Sequence, residues 1–157
     1  MKRIFIIMIL ALIPAGLYAQ SGLDDFFANY SKTQGYQTII YGKRMLEMMK
    51  EDASPEVKSL LDRIKTIRIV SCEASAAQIM YQAKKVIANG KNKYETISQI
   101  HEKGSLSEFY ISEETGRSKE VSFVMIASSS QGTAVMEIIG DFDVKDISRL
   151  SVIGQKR

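Results

Sequence analysis

Lys119-Glu-Val-Ser-Phe-Val-Met-Ile-Ala-Ser-Ser-Ser-Gln-Gly-Thr-Ala-Val-Met-Glu-Ile-Ile-Gly-Asp-Phe142 reads as a β-hairpin. Two runs rich in Val and Ile, Val121 to Ala127 and Thr133 to Ile139, flank a Ser-Ser-Ser-Gln-Gly loop suited to reversing the chain. Setting Met125 against Val135 places Phe123 opposite Glu137 and Val121 opposite Ile139 on one side, since side chains alternate along a strand. Val124, Ile126, Met136 and Ile138 then line the other side. Both sides are mainly apolar, whereas a sheet with one wet face alternates clearly, so each face calls for a cover.

Working outward, the covers are legible as helices. Ser21-Gly-Leu-Asp24 has the form of a capping box, followed by Leu23, Phe26, Phe27 and Tyr30 on one helical face. Gly35 ends that helix, and Tyr36 to Tyr41 has the β-branched composition of a first strand. Gly42 to Lys50 carries Met45, Leu46, Met48 and Met49 at helical spacing, and Ser54-Pro55-Glu56 opens a further helix with a Val57, Leu60, Leu61 and Ile64 stripe. Methionines at this density could mark an adaptable binding groove or a soft metal site, but Met more often fills core gaps, and that is the expected role here. Ile67 to Cys72 is the second strand; Ser75 with Gln78 suggests a capping box for a helix bearing Ile79, Ala83, Val86 and Ile87. Tyr94 to His101 and Leu106 to Ser112 are strands joined at Lys103-Gly104, and a Glu113-Glu-Thr-Gly116 turn leads into the opening hairpin. Asp143 caps a last short helix with Ile147 and Leu150, and Gln155 to Arg157 reads as a frayed end.

The expected fold is therefore α+β. It has a mainly antiparallel sheet of about six strands, ending in a four-strand meander, with helices packed on the sheet. At 157 residues, 45% apolar and 25% charged, the chain can build a core without disulfides or metal; its single Cys72 has no intramolecular partner.

Residues 1–19 read as a secretory signal peptide. Lys2 and Arg3 precede an apolar run from Ile4 to Leu17, too short for a membrane span, and cleavage is expected between Ala19 and Gln20. No cysteine stands there to take a lipid, so residues 20–157 form a single domain expected in the periplasm or outside the cell, with no integral membrane segment after cleavage. Losing Lys2 and Arg3 leaves 19 basic residues against 18 acidic, a net charge of +1, which does not suit nucleic-acid binding.

The candidates for chemistry are few. Cys72 and His101 could pair as thiol and imidazole, but Cys72 ends an apolar strand and His101 lies beside a turn. Asp141, Asp143 and Asp146 invite a calcium reading yet lack EF-hand spacing, and Asp143 has a sufficient role as a cap. Lys84, Lys85, Lys91 and Lys93 form a basic cluster without interleaved aromatics, best read as a solvated helix end. Glu137, on an apolar strand face, either pairs with a lysine across the sheet or is a pocket carboxylate. No phosphate-binding glycine loop is present, and no cofactor, catalytic residue or metal site is indicated.

The Phe-Phe helix after the leader, the Lys43-Arg-Met-Leu-Glu-Met-Met49 segment and the Val135-Met-Glu-Ile-Ile-Gly-Asp-Phe-Asp-Val144 ending resemble the family of domains of unknown function numbered 4252. The Ile138-Ile-Gly-Asp141 step before the Asp143-to-Leu150 helix carries most of that resemblance. It implies a small exported α+β protein of Bacteroidota-type bacteria and brings no catalytic residues. Some members carry a lipid-attachment cysteine at the end of the leader, which this chain lacks.

The expected function is that of a non-enzymatic cell-envelope protein. It would associate with an unknown envelope protein or with itself through the second apolar face of the sheet. The alternative is a carrier of a small apolar ligand between the sheet and the Met-rich helices, with Glu137 or Tyr41 as polar contacts. A hydrolase using Cys72 or a carboxylate is the remotest reading.

Overall fold

The computed structural model describes residues 22–74, 76–90, 92–112 and 119–147. The leader with its Ala19–Gln20 cleavage point, the 113–116 turn, Leu150 and residues 155–157 lie outside them. The elements follow the expected order: α1 (Asp24–Tyr30), β1 (Gln37–Tyr41), α2 (Lys43–Met49), α3 (Pro55–Arg63), β2 (Ile64–Cys72), α4 (Ala77–Asn89), β3 (Tyr94–Glu102), β4 (Ser105–Ser112), β5 (Val121–Ser129) and β6 (Gly132–Gly140). A helical turn at 144–147 follows.

All six strands join one antiparallel sheet in the order β1-β2-β6-β5-β4-β3. The β3–β6 meander runs inward from one edge, so that β6 closes against β2. Between β3 and β4 the reversal takes two residues, Lys103 and Gly104, both with positive φ (20° and 85°), the backbone a tight hairpin turn demands.

The β5–β6 register corrects the expected pairing. Ser129 pairs with Gly132, leaving Ser130 and Gln131 as a two-residue turn. Met125 therefore faces Met136, Phe123 faces Ile138 and Val121 faces Gly140. The longer loop assumed from sequence shifted the pairing by one residue, and such a shift moves every side chain of one strand to the other face. Glu137 thus lies opposite Val124 and shares a face with Ser122 and Ile126, not with Phe123.

Helices cover both faces, as two apolar sides require. On the first face, α1 and α4 bring Leu23, Phe26, Phe27, Ile79, Ala83 and Ile87 onto Val70, Val124, Ile126, Val135 and Tyr110. On the second, α2 and α3 bring Leu46, Leu60 and Leu61 onto Ile64, Ile67, Val121, Phe123 and Ile138, with Phe142 closing the edge. Burying each such aliphatic or aromatic side chain stabilises the fold by about 1.5–3 kcal/mol before entropy is counted.

The helix starts differ in how they are capped. Ser54 caps α3, its hydroxyl accepting from Val57 N, with Pro55 in the first turn. Ala76 holds the N-cap position of α4, and Thr133 Oγ1 on β6 takes its amide at 3.0 Å; Ser75 lies outside the described residues. Leu23 likewise stands at the N-cap position of α1, and Ser21 is not described. Lys50, after α2, bonds both Glu47 and Asp62 of α3; those bonds raise its pKa against the opposing effect of desolvation.

Candidate functional site

The first face holds two buried carboxylates. Glu137 is fully buried, and Arg68, its direct partner across β2 and β6, donates from Nε to Oε2 at 2.9 Å and also from Nη2. Arg68 extends the chain of contacts outward: Nη1 donates to Asp24 Oδ1 at 2.6 Å, and its guanidinium lies 4.5 Å from the centre of the Phe27 ring. Desolvation pulls the Arg68 pKa down, but the charge and hydrogen bonds of Glu137, followed by those of Asp24, outweigh it and leave a net rise. On its other oxygen, Glu137 accepts from Ser122 Oγ at 2.6 Å. Tyr94 donates to that hydroxyl at 3.1 Å, and the Ser122 amide donates to Ser112 Oγ at 2.8 Å.

Glu108 is the second carboxylate, 3% exposed, and Lys84 from α4 approaches it at 2.7 Å. Gln99 donates to Oε1 at 3.1 Å, and the Tyr110 hydroxyl donates to Oε2 at 3.2 Å. Burial first, then the charge of Glu108, pushes the Tyr110 phenol up to about 12. With both oxygens of Glu137 and of Glu108 engaged, these groups tie α1 and α4 to the sheet. The surface depressions are lined elsewhere: at the β3–β4 turn with Met80 and His101, at the Cys72 end of the sheet, and between α2 and α3.

The sequence-derived candidates are placed as follows. Cys72, Thr133, Ser128, Leu106 and His101 form one row across five strands, which puts Cys72 and His101 four strand spacings, about 19 Å, apart. The structure therefore does not assemble a thiol–imidazole pair. Asp143 caps the 144–147 turn, accepting from Lys145 N at 2.7 Å and Asp146 N at 3.2 Å, while Asp146 pairs with Arg63 at 2.9 Å. Among the described residues no cluster of His, Cys, Asp or Glu is arranged to hold a metal. Of the lysine cluster, Lys84 is committed to Glu108, Lys85 and Lys93 are exposed, and Lys91 is not described. Tyr41 is half-buried against the α2–α3 side of the core. The depression of about 290 Å³ beside those helices is lined chiefly by charged residues, among them Lys43, Glu47, Asp62, Arg63 and Lys65.

Glu137 pairs with an arginine rather than a lysine, and sequence reasoning passed over Arg68 and Glu108. Each carried a signal. Arg68 shares its alternation with Val70, and Glu108 sits between Leu106 and Tyr110 on one strand face, so both place a charge where the pattern asks for an apolar residue.

The second face offers a different kind of site. Ile39, Ile69, Met136, Met125 and Phe109 form one row across β1, β2, β6, β5 and β4, and all five are only half-buried. The next row toward the sheet end, Ser71, Ala134, Ala127 and Ser107, is made of small residues. α2 and α3 cover the opposite end of this face, where Ile67, Phe123 and Ile138 are buried. α2 itself turns Met45, Met48 and Met49 outward, with Met48 63% exposed. The hairpin as a whole is therefore not an open contact surface: Val121, Phe123, Val124, Ile126, Val135 and Ile138 are buried within the chain. Among the described residues, α2 and α3 leave the Ser71–Ala134–Ala127–Ser107 end of this face uncovered.

Among the described residues no helix is long and apolar enough to cross a membrane. Searches of curated proteins and of solved structures gave no match. The family model described as a domain of unknown function, DUF4252, matches residues 30–150, most of the chain and all six strands. The chain belongs to the DUF4252 family.

Proposed function

We propose that this protein is a non-enzymatic, exported binding module of the cell envelope, and that it works by association through the open half of the second sheet face. The half-buried row Ile39–Ile69–Met136–Met125–Phe109, together with the exposed methionines of α2, carries this reading. Apolar side chains gathered on one surface mark a contact with another macromolecule more often than scattered ones do. Methionine suits such a surface because its unbranched, polarisable side chain repacks against a partner. The leader motif in residues 1–19 supports export. The charged lining of the depression beside α2 and α3 gives the apolar-carrier reading no comparable support.

Methionine oxidation tests the proposal. Peroxide converts accessible Met to its sulfoxide, and mass spectrometry of peptides reports each position. Met48, Met125 and Met136 are expected to oxidise more slowly in the periplasm of intact cells than in the dilute purified protein. Equal rates in the two settings would remove the reading. The mass of the protein recovered from the same cells reports cleavage after Ala19.

A further inference from the structure

We propose that the outward face of α2 is a binding site for a soft monovalent cation, Cu(I), held by the thioethers of Met45, Met48 and Met49. The inference goes beyond the association reading above and does not rest on it. Core filling is the role expected of these methionines from the sequence, and the structure gives it to their neighbour instead. Leu46 is 2% exposed, whereas Met45, Met48 and Met49 are 43%, 63% and 44% exposed. α2 thus carries leucine at its buried position and methionine at each outward apolar one. What those outward side chains have, and leucine lacks, is a sulfur with lone pairs to donate.

The helix sets the geometry. Met45 stands three residues from Met48 and four from Met49, the two spacings that make neighbours on a helix surface, with Cβ atoms about 5–6 Å apart. Long side chains on a helix lean toward its N-terminus, so Met48 and Met49 reach back over the turn that holds Met45. The unbranched, flexible thioether chains can then close on one ion. Thioethers are soft donors that suit Cu(I), not the hard Mg(II) or Ca(II), which take oxygen ligands. They are also uncharged, so the ion keeps its charge and its surroundings must favour a cation. They do: the last turn of α2 has no basic residue, and Lys50 just beyond it bonds Glu47 and Asp62. Glu51 and Asp52, both exposed, come next. Among the described residues no cluster of His, Cys, Asp or Glu competes for the ion. A thioether site has no proton to release, whereas thiolate, imidazole and carboxylate ligands must first be deprotonated.

Silver titration tests this, with Ag(I) standing for Cu(I) because it is also soft and keeps its oxidation state in air. The protein is recovered from the periplasm and carries Cys72→Ser, which removes the one thiol. Circular dichroism melts of each variant report folding; should Cys72→Ser fail to fold, Cys72→Ala takes its place. Isothermal titration calorimetry in chloride-free buffer is expected to show one ion per chain, unaffected by excess Mg(II) and bound equally well at about pH 5 and pH 7. Met45→Leu, Met48→Leu and Met49→Leu keep exposed positions apolar, so their melts should match the parent while each weakens binding by about tenfold or more. Ag(I) should also slow peroxide oxidation of these three methionines and leave Met80, Met125 and Met136 at their rates without it. No binding to the Cys72→Ser protein overturns the inference, as does binding that the single leucine variants leave unchanged or that survives in the triple leucine variant. Binding that is lost at pH 5 assigns the ion to His101 and also overturns it.

Discussion

Arg68 and Glu137 stand directly opposite each other on β2 and β6, with Glu137 fully buried and its Oε2 accepting from Arg68 Nε at 2.9 Å. Removing either member leaves the other charge stranded in a low-dielectric interior, at a cost of about 3–5 kcal/mol. Replacing both with apolar residues removes the two desolvation penalties together. Urea unfolding should therefore show Arg68→Met and Glu137→Leu each strongly destabilised, and the double variant less so than the sum of the two. Additive losses would mean that the pair is not coupled.

The Tyr110 phenol gives the fold a signature in alkali. Its pKa rises from 10.0 to about 12, chiefly through burial and then through the nearby Glu108 carboxylate. A group whose folded pKa is raised contributes stability that is fully present below its unfolded value and is lost as pH climbs toward the folded one. The window is thus about pH 10 to 12. Thermal melts across it should fall more steeply for the wild type than for Tyr110→Phe, which has no phenol to ionise. Parallel slopes would show that Tyr110 is not the group responsible.

How much of this was legible beforehand differs by level. The order of ten elements could be read because apolar spacing of about 3.6 or 2 residues is a local property, as in the Val57, Leu60, Leu61 stripe of α3 or the Val121 to Ala127 run. Register was not legible, because Ser128 to Gly132 accommodates either a two-residue or a longer turn, and that choice decides which face Glu137 occupies. Arg68 and Glu108 escaped for a related reason: one charge in a strand looks solvated until the face it shares is known. The open half-face was furthest from reach. It exists because α2 and α3, of seven and nine residues, both settle on the same end of the sheet, a tertiary outcome that no single stretch encodes.

After β6, Asp143 caps the helical turn at 144–147 and Asp146 pairs with Arg63. Asp143 Oδ1 takes the free amides of Lys145 and Asp146, a capping arrangement whose loss to alanine costs about 1 kcal/mol. Asp143→Asn keeps the acceptor and should melt close to the wild type, while Asp143→Ala melts lower. Added calcium is expected to leave all three melts where they are. A calcium-dependent rise that vanishes in Asp143→Ala would restore the metal reading.

Gly140 marks the point where β6, β2 and the end of α3 come closest. A Cβ at this position would lie 2.3 Å from the Arg63 carbonyl oxygen and 2.9 Å from Ile64 Cα, and both are backbone atoms that cannot swing aside. Gly140 pairs with Ile64 just where the β2–β6 ladder shifts register, and the Asp141 amide bonds that same Arg63 oxygen at 2.9 Å. Alanine here would push α3 and β6 apart and strain the Arg63–Asp141 bond, an overpacking cost of about 1–3 kcal/mol. Gly104, with open space around its Cβ position and a φ of +85°, makes the contrasting case: alanine there meets backbone strain but no collision. Denaturant melts should place Gly140→Ala well below the wild type. Amide exchange in the same variant should quicken at Asp141 and along the β2–β6 ladder near Ile64, while the β3–β4 hairpin stays protected. If Gly140→Ala loses stability with uniform exchange across the sheet, the close approach of Arg63 is not the cause.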